Sequence, residues 1–217
     1  MRRVFEMSLL ILASVGLLAT AAHAEVAAVA PSITQIRPLL IGQKVAESSI
    51  LDVDGKPVAL RKLLAEKPTV LVVFRGGWCA FCSRQLAQLR LLTATLKQAG
   101  WRIVGLSPDP PERLRAATKD LELEYSLYSD EAANAVRALG LAYKAKAGDF
   151  GNQANMSRWQ SRRSASVKDT PPVLPAPAVY LFHRSGLVVY QYVNVEIGVR
   201  LSGEVLLSAA QAYAEAN

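Results

Sequence analysis

Two cysteines, Cys79 and Cys82, are the residues of this chain whose type and spacing best suit chemistry, and the sequence contains no others. They lie three positions apart at the predicted start of a helix, so both sulfur atoms face one side of its first turn and can close a small disulfide ring. Free N–H groups and the positive end of the helix dipole at that turn favour the thiolate and lower a thiol pKa. We interpret the pair as a redox-active dithiol, with a structural disulfide and a metal site as the alternatives.

The two cysteines are expected to differ in exposure. Cys82 continues the apolar stripe of leucines along the helix, so we expect it to be the shielded sulfur. Cys79 lies at the helix mouth behind Trp78, so we expect it to be the exposed nucleophile. Trp78 lies in a turn and is predicted to cover the disulfide and contact the substrate. Arg75 has two interpretations, a cation that raises the thiolate population of Cys79 or an exposed arginine without a special role.

The sequence offers few further ligands for a metal. Zinc normally takes four nitrogen or sulfur ligands, and no third cysteine is present. Ser83 follows Cys82 where attachment of a c-type haem needs histidine. We therefore expect no metal and no cofactor. A soft-metal carrier that uses both thiolates stays as a third hypothesis, with Met156 and His183 as remote additional ligands.

The pattern of apolar residues predicts an α/β fold. The apolar, mostly β-branched run Thr69–Phe74 predicts a buried strand. Gly76 and Gly77 then allow a sharp turn, and the cysteine helix follows and ends at Gly100. Further strands are predicted over 101–106 and 125–128, and further helices over 112–119, 130–140 and 204–214. Strands that alternate with helices of this length predict a parallel sheet with helices on both faces.

Hairpins are predicted at both ends of this sheet. Asp54 and Gly55 form a turn between short strands, and a short helix over 61–66 follows. Residues 173–193 have the pattern of a strand, a tight turn and a strand, which indicates an antiparallel hairpin along one edge. Pro177 precedes the apolar run of this hairpin, where either a cis peptide bond or a trans edge-strand proline is expected.

Residues 143–172 are polar and show no clear period apart from a short helix over 154–161. Their basic side chains are Lys144, Lys146, Arg158, Arg162, Arg163 and Lys168. A loop this long inside a compact domain is usually functional or mobile. A solvated basic loop and a site for an anionic partner are both open interpretations. The formal net charge of +7 without interleaved aromatic residues is weak support for nucleic acid binding, and we expect no nucleic acid partner.

The first residues have the pattern of a secretory signal peptide. A basic head, an apolar stretch and the small-x-small motif Ala22-His23-Ala24 predict a signal peptide over residues 1–24, with the cut between Ala24 and Glu25. The apolar stretch is shorter than the ~20 residues of a membrane span, so we expect no stable membrane insertion after cleavage. The expected location is the periplasm or the exterior, which is an oxidising compartment. Residues 25–35 are predicted to be a flexible arm and residues 36–217 a single domain.

Three segments resemble a known family. Val73–Cys82, Gly105–Asp109 and Leu174–Ala178 resemble the peroxiredoxin-like redoxins of the alkyl hydroperoxide reductase and thiol-specific antioxidant superfamily. Those proteins commonly carry the signature Phe/Tyr-Arg-Gly-Gly-Trp-Cys-Pro-Phe/Tyr-Cys. The resemblance covers residues 36–215. It implies a thioredoxin-like α/β fold, a mixed and mostly parallel central sheet flanked by helices on both faces, and an N-terminal hairpin extension.

The resemblance also implies roles for single residues. By position, Cys79 matches the attacking cysteine and Cys82 the resolving cysteine of thioredoxin-like dithiols. Pro177 matches the cis-proline that faces the disulfide and receives the substrate backbone. We assign substrate binding to Arg75, Trp78 and Ala176.

The sequence departs from the Pro-x-x-x-Thr/Ser-x-x-Cys motif of true peroxiredoxins. The motif positions hold Arg75 and Cys79 when counted from Cys82, or Val72 and Gly76 when counted from Cys79. The position of the family's peroxide-binding arginine falls at Pro177. A peroxide site without its hydroxyl and arginine is expected to be slow, because those groups stabilise charge in the transition state.

The sequence therefore predicts an exported thiol–disulfide oxidoreductase that exchanges the Cys79–Cys82 disulfide with partner proteins. The alternative is a thiol peroxidase that reduces hydroperoxides through a sulfenic acid. Either enzyme needs an upstream electron donor or acceptor, and the direction of electron flow stays open.

Overall fold

The computed structural model describes residues 27–214. The predicted signal peptide and its cleavage site lie outside the described residues. The strands are β1 (Ser49–Leu51), β2 (Pro57–Ala59), β3 (Thr69–Val73), β4 (Arg102–Ser107), β5 (Ser126–Ser129), β6 (Ala142–Lys144), β7 (Val173–Pro175), β8 (Ala178–Phe182) and β9 (Val188–Val193). The helices are α1 (Leu60–Glu66), α2 (Ala80–Gln98), α3 (Pro111–Asp120), α4 (Asn134–Ala138), α5 (Gln153–Arg162) and α6 (Gly203–Ala214), with 3₁₀ turns at Ile33–Gln35 and Ala147–Phe150.

The main sheet is mixed and has the strand order β2-β1-β5-β4-β3-β8-β9. Parallel pairing is found at its centre, where β4 lies between β3 and β5. Antiparallel pairing extends the sheet at both ends, through β1 and β2 on one side and through β8 and β9 on the other. The predicted α/β sheet with a terminal hairpin on each side is therefore confirmed. Strands β6 and β7 pair separately.

Strand β3 lies near the centre of the main sheet, and its position explains the continuous apolar run in the sequence. Every residue of β3 is buried. Val70 and Val72 belong to the hydrophobic cluster on one face of the sheet, whereas Leu71 and Val73 belong to the cluster on the other. Because successive strand side chains point to opposite faces, a strand covered on both sides needs apolar residues at each position. This burial fixes the end of β3, from which the cysteine turn departs.

The helix predicted to begin at Asp130 is confirmed in shortened form as α4. The Asp130 carboxylate accepts hydrogen bonds from the backbone N–H groups of Ala135, at 3.0 Å, and Val136, at 2.8 Å. Such a carboxylate satisfies N–H groups that have no partner within the helix. Burial raises the pKa of Asp130 to about 7, although these N–H groups act in the opposite direction.

Residues 25–35 were predicted to be a flexible arm, and the described part of this segment is instead attached to the domain. The N–H of Ala30 donates to the carbonyl of Ala142 at 2.9 Å, and the N–H of Lys144 donates to the carbonyl of Ala30 at 2.9 Å. These bonds add Ala30 to the edge of β6. The prediction of a flexible arm is wrong for these residues. Backbone hydrogen bonds attach them to a strand edge, and such bonds leave no regular pattern of apolar residues in the sequence.

The stretch predicted to be a long basic loop contains a folded segment. The predicted short helix is present as α5, and the Asn152 side chain caps it by accepting from the N–H of Asn155 at 2.8 Å. Phe150 and Trp159 are buried in the core of the domain. The interpretation of the whole stretch as a solvated loop is therefore wrong, because these two aromatic side chains anchor it.

Candidate active site

The turn between β3 and α2 is held in one conformation by a glycine and an aspartate. Gly76 has a φ of +133°, and a Cβ atom there would lie 2.6 Å from Trp78 Nε1 and 2.8 Å from Asp109 Oδ1. The positive φ and the closeness of these two side chains both exclude a side chain at position 76. The N–H of Gly77 donates to Asp109 Oδ2 at 2.8 Å, and Arg162 of α5 forms an ion pair with the same carboxylate at 2.8 Å. The turn is therefore tied to β4 and α5 as well as to β3.

The cysteines occupy the first turn of α2 as predicted. Cys79 is the N-cap residue, and its carbonyl accepts from the N–H groups of Cys82 at 2.9 Å and Ser83 at 3.1 Å. Both cysteines are free thiols. Cys82 is 0% exposed, which confirms that it is the shielded sulfur. Cys79 is only 4% exposed, so the expectation of an exposed nucleophile is wrong.

An aromatic cluster is responsible for the burial of this turn. The ring of Trp78 packs on Phe150 at a centroid distance of 5.3 Å, and Phe150 packs on Trp159 at 5.0 Å. The indole N–H of Trp78 donates to the carbonyl of Arg75 at 3.1 Å. Trp78 is only 5% exposed and belongs to the core cluster that includes Cys79, so it is mainly a core residue, and its predicted contact with a substrate stays a prediction.

The two thiols have different acidities. A hydrogen bond from the Cys82 thiol lowers the pKa of Cys79 to about 6, with further help from the charges of Arg75 and Arg200, whereas burial opposes this shift. Burial raises the pKa of Cys82, and its interaction with Cys79 acts in the same direction. At neutral pH the pair therefore holds one proton, which lies on Cys82 and stabilises the thiolate of Cys79.

Arg75 is a buried cation beside this pair. Its side chain is 1% exposed, its guanidinium carbon lies 4.8 Å from the centre of the Trp78 ring, and it donates to the carbonyl of Asp149. The interpretation of Arg75 as an exposed arginine is therefore wrong. Its charge favours the Cys79 thiolate, as the other interpretation predicts.

Arg200 is a functional candidate that sequence reasoning missed. Its guanidinium lies 3.8 Å from the sulfur of Cys82, although the two residues are 118 positions apart. Arg200 lies in the irregular segment between β9 and α6. No local pattern marks it, because only the fold brings this segment to the first turn of α2.

Pro177 and Ala176, the two site residues predicted in the C-terminal hairpin, have surroundings that differ from the prediction. Ala178 pairs with Val73, so Pro177 lies beside the end of β3 where the cysteine turn begins. Within residues 27–214 all peptide bonds are trans, so the expected cis-proline is absent. Pro177 lies between β7 and β8, and β8 is flanked by β3 and β9, so the expectation of an edge-strand proline is wrong too. Ala176 is fully buried, and its N–H already donates to the carbonyl of Leu141 at 3.0 Å. The assignment of Ala176 to substrate binding is therefore wrong.

His183, one of the two additional ligands considered for a soft metal, lies away from the cysteines. His183 follows Phe182, which pairs with Thr69 at the opposite end of β3, and its Nδ1 lies 2.8 Å from the hydroxyl of Ser185. Met156 lies on α5 and packs against the core. In the described part of the chain, no group of three or more His, Cys, Asp or Glu side chains is arranged to hold a metal.

Among the helices between residues 27 and 214, none has the length and apolarity needed to cross a membrane.

Comparison with known proteins identifies the family. The sequence model of the AhpC/TSA family matches residues 41–191, which is more than half of the chain. The chain belongs to the AhpC/TSA family. Peroxiredoxin Bcp of Escherichia coli (strain K12) is 37% identical over 98 residues, which cover 44% of this chain and 61% of the relative. The chloroplastic peroxiredoxin Q of Populus jackii is 32% identical over 90 residues, which cover 42% of each chain.

Solved structures share the fold of this AhpC/TSA-family chain. Reduced Prx3 from Vibrio vulnificus superposes with a TM-score of 0.64 at 18% identity and covers 80% of this chain and 99% of its own. Peroxidoxin BcpB from Mycobacterium tuberculosis superposes with a TM-score of 0.59 at 16% identity and covers 79% of this chain and 96% of its own. The predictions of a peroxiredoxin-like redoxin and of a thioredoxin-like fold are confirmed at the level of family and fold.

Proposed function

We propose that this protein is a thiol peroxidase in which Cys79 attacks a hydroperoxide and Cys82 resolves the product. The observation that carries the proposal is the burial of Cys79, whose pKa is lowered to about 6. Thiol–disulfide exchange needs three sulfur atoms in line, so a protein disulfide must reach the attacking sulfur directly. A cysteine that is only 4% exposed fits a hydroperoxide better than it fits a protein substrate. The proposal favours the peroxidase alternative over the predicted exchange with partner proteins.

The surroundings of the turn are compatible with a small substrate. An open cavity of about 310 Å³ borders the turn and is lined by Gly77, Trp78, Arg113, Arg158, Ser161 and Arg162. A hydroperoxide of a few heavy atoms fits in this volume. The basic side chains of this cavity favour anionic groups beside the turn, although neither cysteine lines it.

The first step oxidises Cys79. Its thiolate attacks the terminal oxygen of the hydroperoxide, so that an S–O bond forms while the O–O bond breaks. The electron pair of the broken bond goes to the leaving oxygen, which takes a proton from water to give an alcohol or water. The positive charges of Arg75 and Arg200 act at the cysteine pair. They stabilise the negative charge that develops on the leaving oxygen.

The second step forms the disulfide. The Cys82 thiol gives up its proton and attacks the sulfur of the Cys79 sulfenic acid, so that an S–S bond forms and the hydroxyl leaves as water. An upstream dithiol donor then returns two electrons and two protons and restores both thiols. The spacing of the cysteines in one helical turn suits this ring closure.

A comparison of two oxidants tests the proposal. Reduced protein is mixed separately with hydrogen peroxide and with a folded protein that carries a surface disulfide, and the loss of free thiols is followed in both. We expect oxidation by peroxide to have the larger second-order rate constant, because the peroxide reaches the buried thiolate. Rapid exchange with the protein disulfide and slow reaction with peroxide would instead favour the oxidoreductase.

We also propose that the enzyme works after export, because residues 1–24 have the charge pattern and cleavage motif of a signal peptide. The expected result of expression in a Gram-negative host is a periplasmic protein that begins at Glu25. Mass spectrometry of the intact protein measures this. A cytoplasmic product that keeps residues 1–24 would overturn the proposal.

A further inference from the structure

A buried hydroxyl without a hydrogen-bond partner lies near the cysteine pair. Tyr143 of β6 is 0% exposed and belongs to the same core cluster as Trp78, Cys79 and Phe150. No atom of residues 27–214 is placed to form a well-aligned hydrogen bond with its hydroxyl, although the guanidinium of Arg75 is near enough to interact with the hydroxyl oxygen. Buried polar groups are nearly always paired, so such a hydroxyl needs an explanation.

The charged groups around Tyr143 belong to the cysteine site. The charges of Arg75 and, to a smaller extent, Cys79 act on Tyr143, so its hydroxyl lies in the electrostatic field of the thiolate and its cation. Burial raises the pKa of Tyr143 to about 12, so the hydroxyl keeps its proton and is a hydrogen-bond donor at neutral pH. The Nε atom of Arg75 is also buried, and within the described residues it has no partner. Two buried donors, one from β6 and one from the turn after β3, therefore lack an acceptor close to the cysteine pair.

A hydroperoxide supplies the acceptor that these donors lack. Its two oxygen atoms lie one bond apart and both carry lone pairs. The family motif provides a hydroxyl and an arginine for this purpose, and this sequence has neither at the motif positions. In this chain Arg75 supplies a guanidinium in place of the family's arginine, and Tyr143 supplies a hydroxyl in place of the missing Thr or Ser.

We propose that the Tyr143 hydroxyl donates a hydrogen bond to the leaving oxygen of a hydroperoxide bound at Cys79, and so takes the place of the missing motif hydroxyl. This inference rests on the proposed peroxidase function. In the step, the S–O bond forms, the O–O bond breaks and the electron pair moves to the leaving oxygen, whose charge the hydroxyl stabilises. Water supplies the proton, so Tyr143 is unchanged after the step.

The variant Tyr143→Phe tests the inference, because it removes the hydroxyl and keeps the ring. We expect the second-order rate constant for hydrogen peroxide to fall by about 100-fold, as is typical for loss of one donor to a developing oxyanion. Alkylation of Cys79 by iodoacetamide should keep its rate and its pH midpoint, because that reaction needs the thiolate but no donor to a peroxide oxygen. The melting temperature should be unchanged or higher, because the variant removes an unpaired buried group.

Tyr180→Phe is the matched control. Tyr180 is equally buried, and its hydroxyl likewise has no well-aligned partner within residues 27–214, although it interacts with the backbone of Leu39. Tyr180 belongs to the cluster on the other face of the sheet. We expect this variant to react with peroxide as the wild type does. Equal peroxide rates for wild type and Tyr143→Phe would overturn the inference and leave the peroxidase intact. Parallel loss of alkylation, or failure of Tyr143→Phe to fold, would show a structural role and overturn it too. A wild type that does not react with peroxide would overturn both proposals.

Discussion

Replacing Cys79 by serine is expected to lower the second-order rate constant for hydrogen peroxide by at least about 1000-fold, as is typical when an enzyme loses its nucleophile. The reason is that the thiolate is the attacking group, and a serine hydroxyl is not ionised at neutral pH. Cys82 cannot take over the role, because burial raises its pKa and keeps it protonated. Peroxide consumption by the reduced protein, followed by stopped-flow fluorescence, measures the effect.

The variant Cys82→Ser is the matched control for this prediction. Its hydroxyl can still donate to the Cys79 thiolate, so we expect one equivalent of peroxide to be consumed at close to the wild-type rate. The product should be a sulfenic acid on Cys79 that dimedone traps, because no second thiol is present to condense with it. Turnover should be lost. A sulfenic acid on Cys82 in the variant Cys79→Ser, formed at the wild-type rate, would show that the roles of the two cysteines are reversed.

Replacing Arg75 by methionine is expected to raise the pKa of Cys79 and to slow peroxide reduction by about 10- to 100-fold at neutral pH, because the variant loses a charge that stabilises the reaction. Methionine fills much of the same volume but removes the cation that favours the thiolate. The pH midpoint of iodoacetamide alkylation of Cys79 should therefore move upward. The two measurements together separate loss of thiolate from loss of charge stabilisation at the leaving oxygen.

Two further variants control the Arg75 experiment. Arg84→Met removes an exposed charge of α2 that is close to the cysteines in sequence, and we expect no change because exposed charges are screened by solvent. Arg75→Lys keeps a positive charge in the buried position, and it should keep the alkylation midpoint near that of the wild type. An unchanged midpoint in a folded Arg75→Met protein would contradict the role given to this cation.

Local sequence patterns were enough to predict the elements that carry the site. Each of three features is visible in a short stretch of sequence: the apolar run of β3, the glycine turn and the leucine stripe of α2. They correctly predicted two cysteines in the first turn of a helix, and they predicted which of the two is shielded. Cys82 is buried for the same reason as the leucines that follow it, because it lies on the face of α2 that packs on the sheet.

The environment of the dithiol was not predictable in the same way. Phe150 and Trp159 bury the cysteine turn, and they come from a stretch whose polar composition suggested a solvated loop. Arg200 and Tyr143 reach the site only through tertiary contacts and have no local signature. These contacts bury Cys79. Because the sequence did not reveal them, it favoured exchange with proteins, whereas the burial of Cys79 supports the proposed reaction with a small hydroperoxide.

The most direct test is the rate of reaction of the reduced wild-type protein with hydrogen peroxide as a function of pH. We expect a rate constant far above that of an ordinary thiol, which rises with a midpoint near pH 6 and is level above it, because the pKa of Cys79 is lowered to about 6. The reaction accelerates with pH through this range because only the deprotonated sulfur attacks. A slow reaction whose midpoint lies near that of a free cysteine, at a pH of about 8.5, would contradict the account.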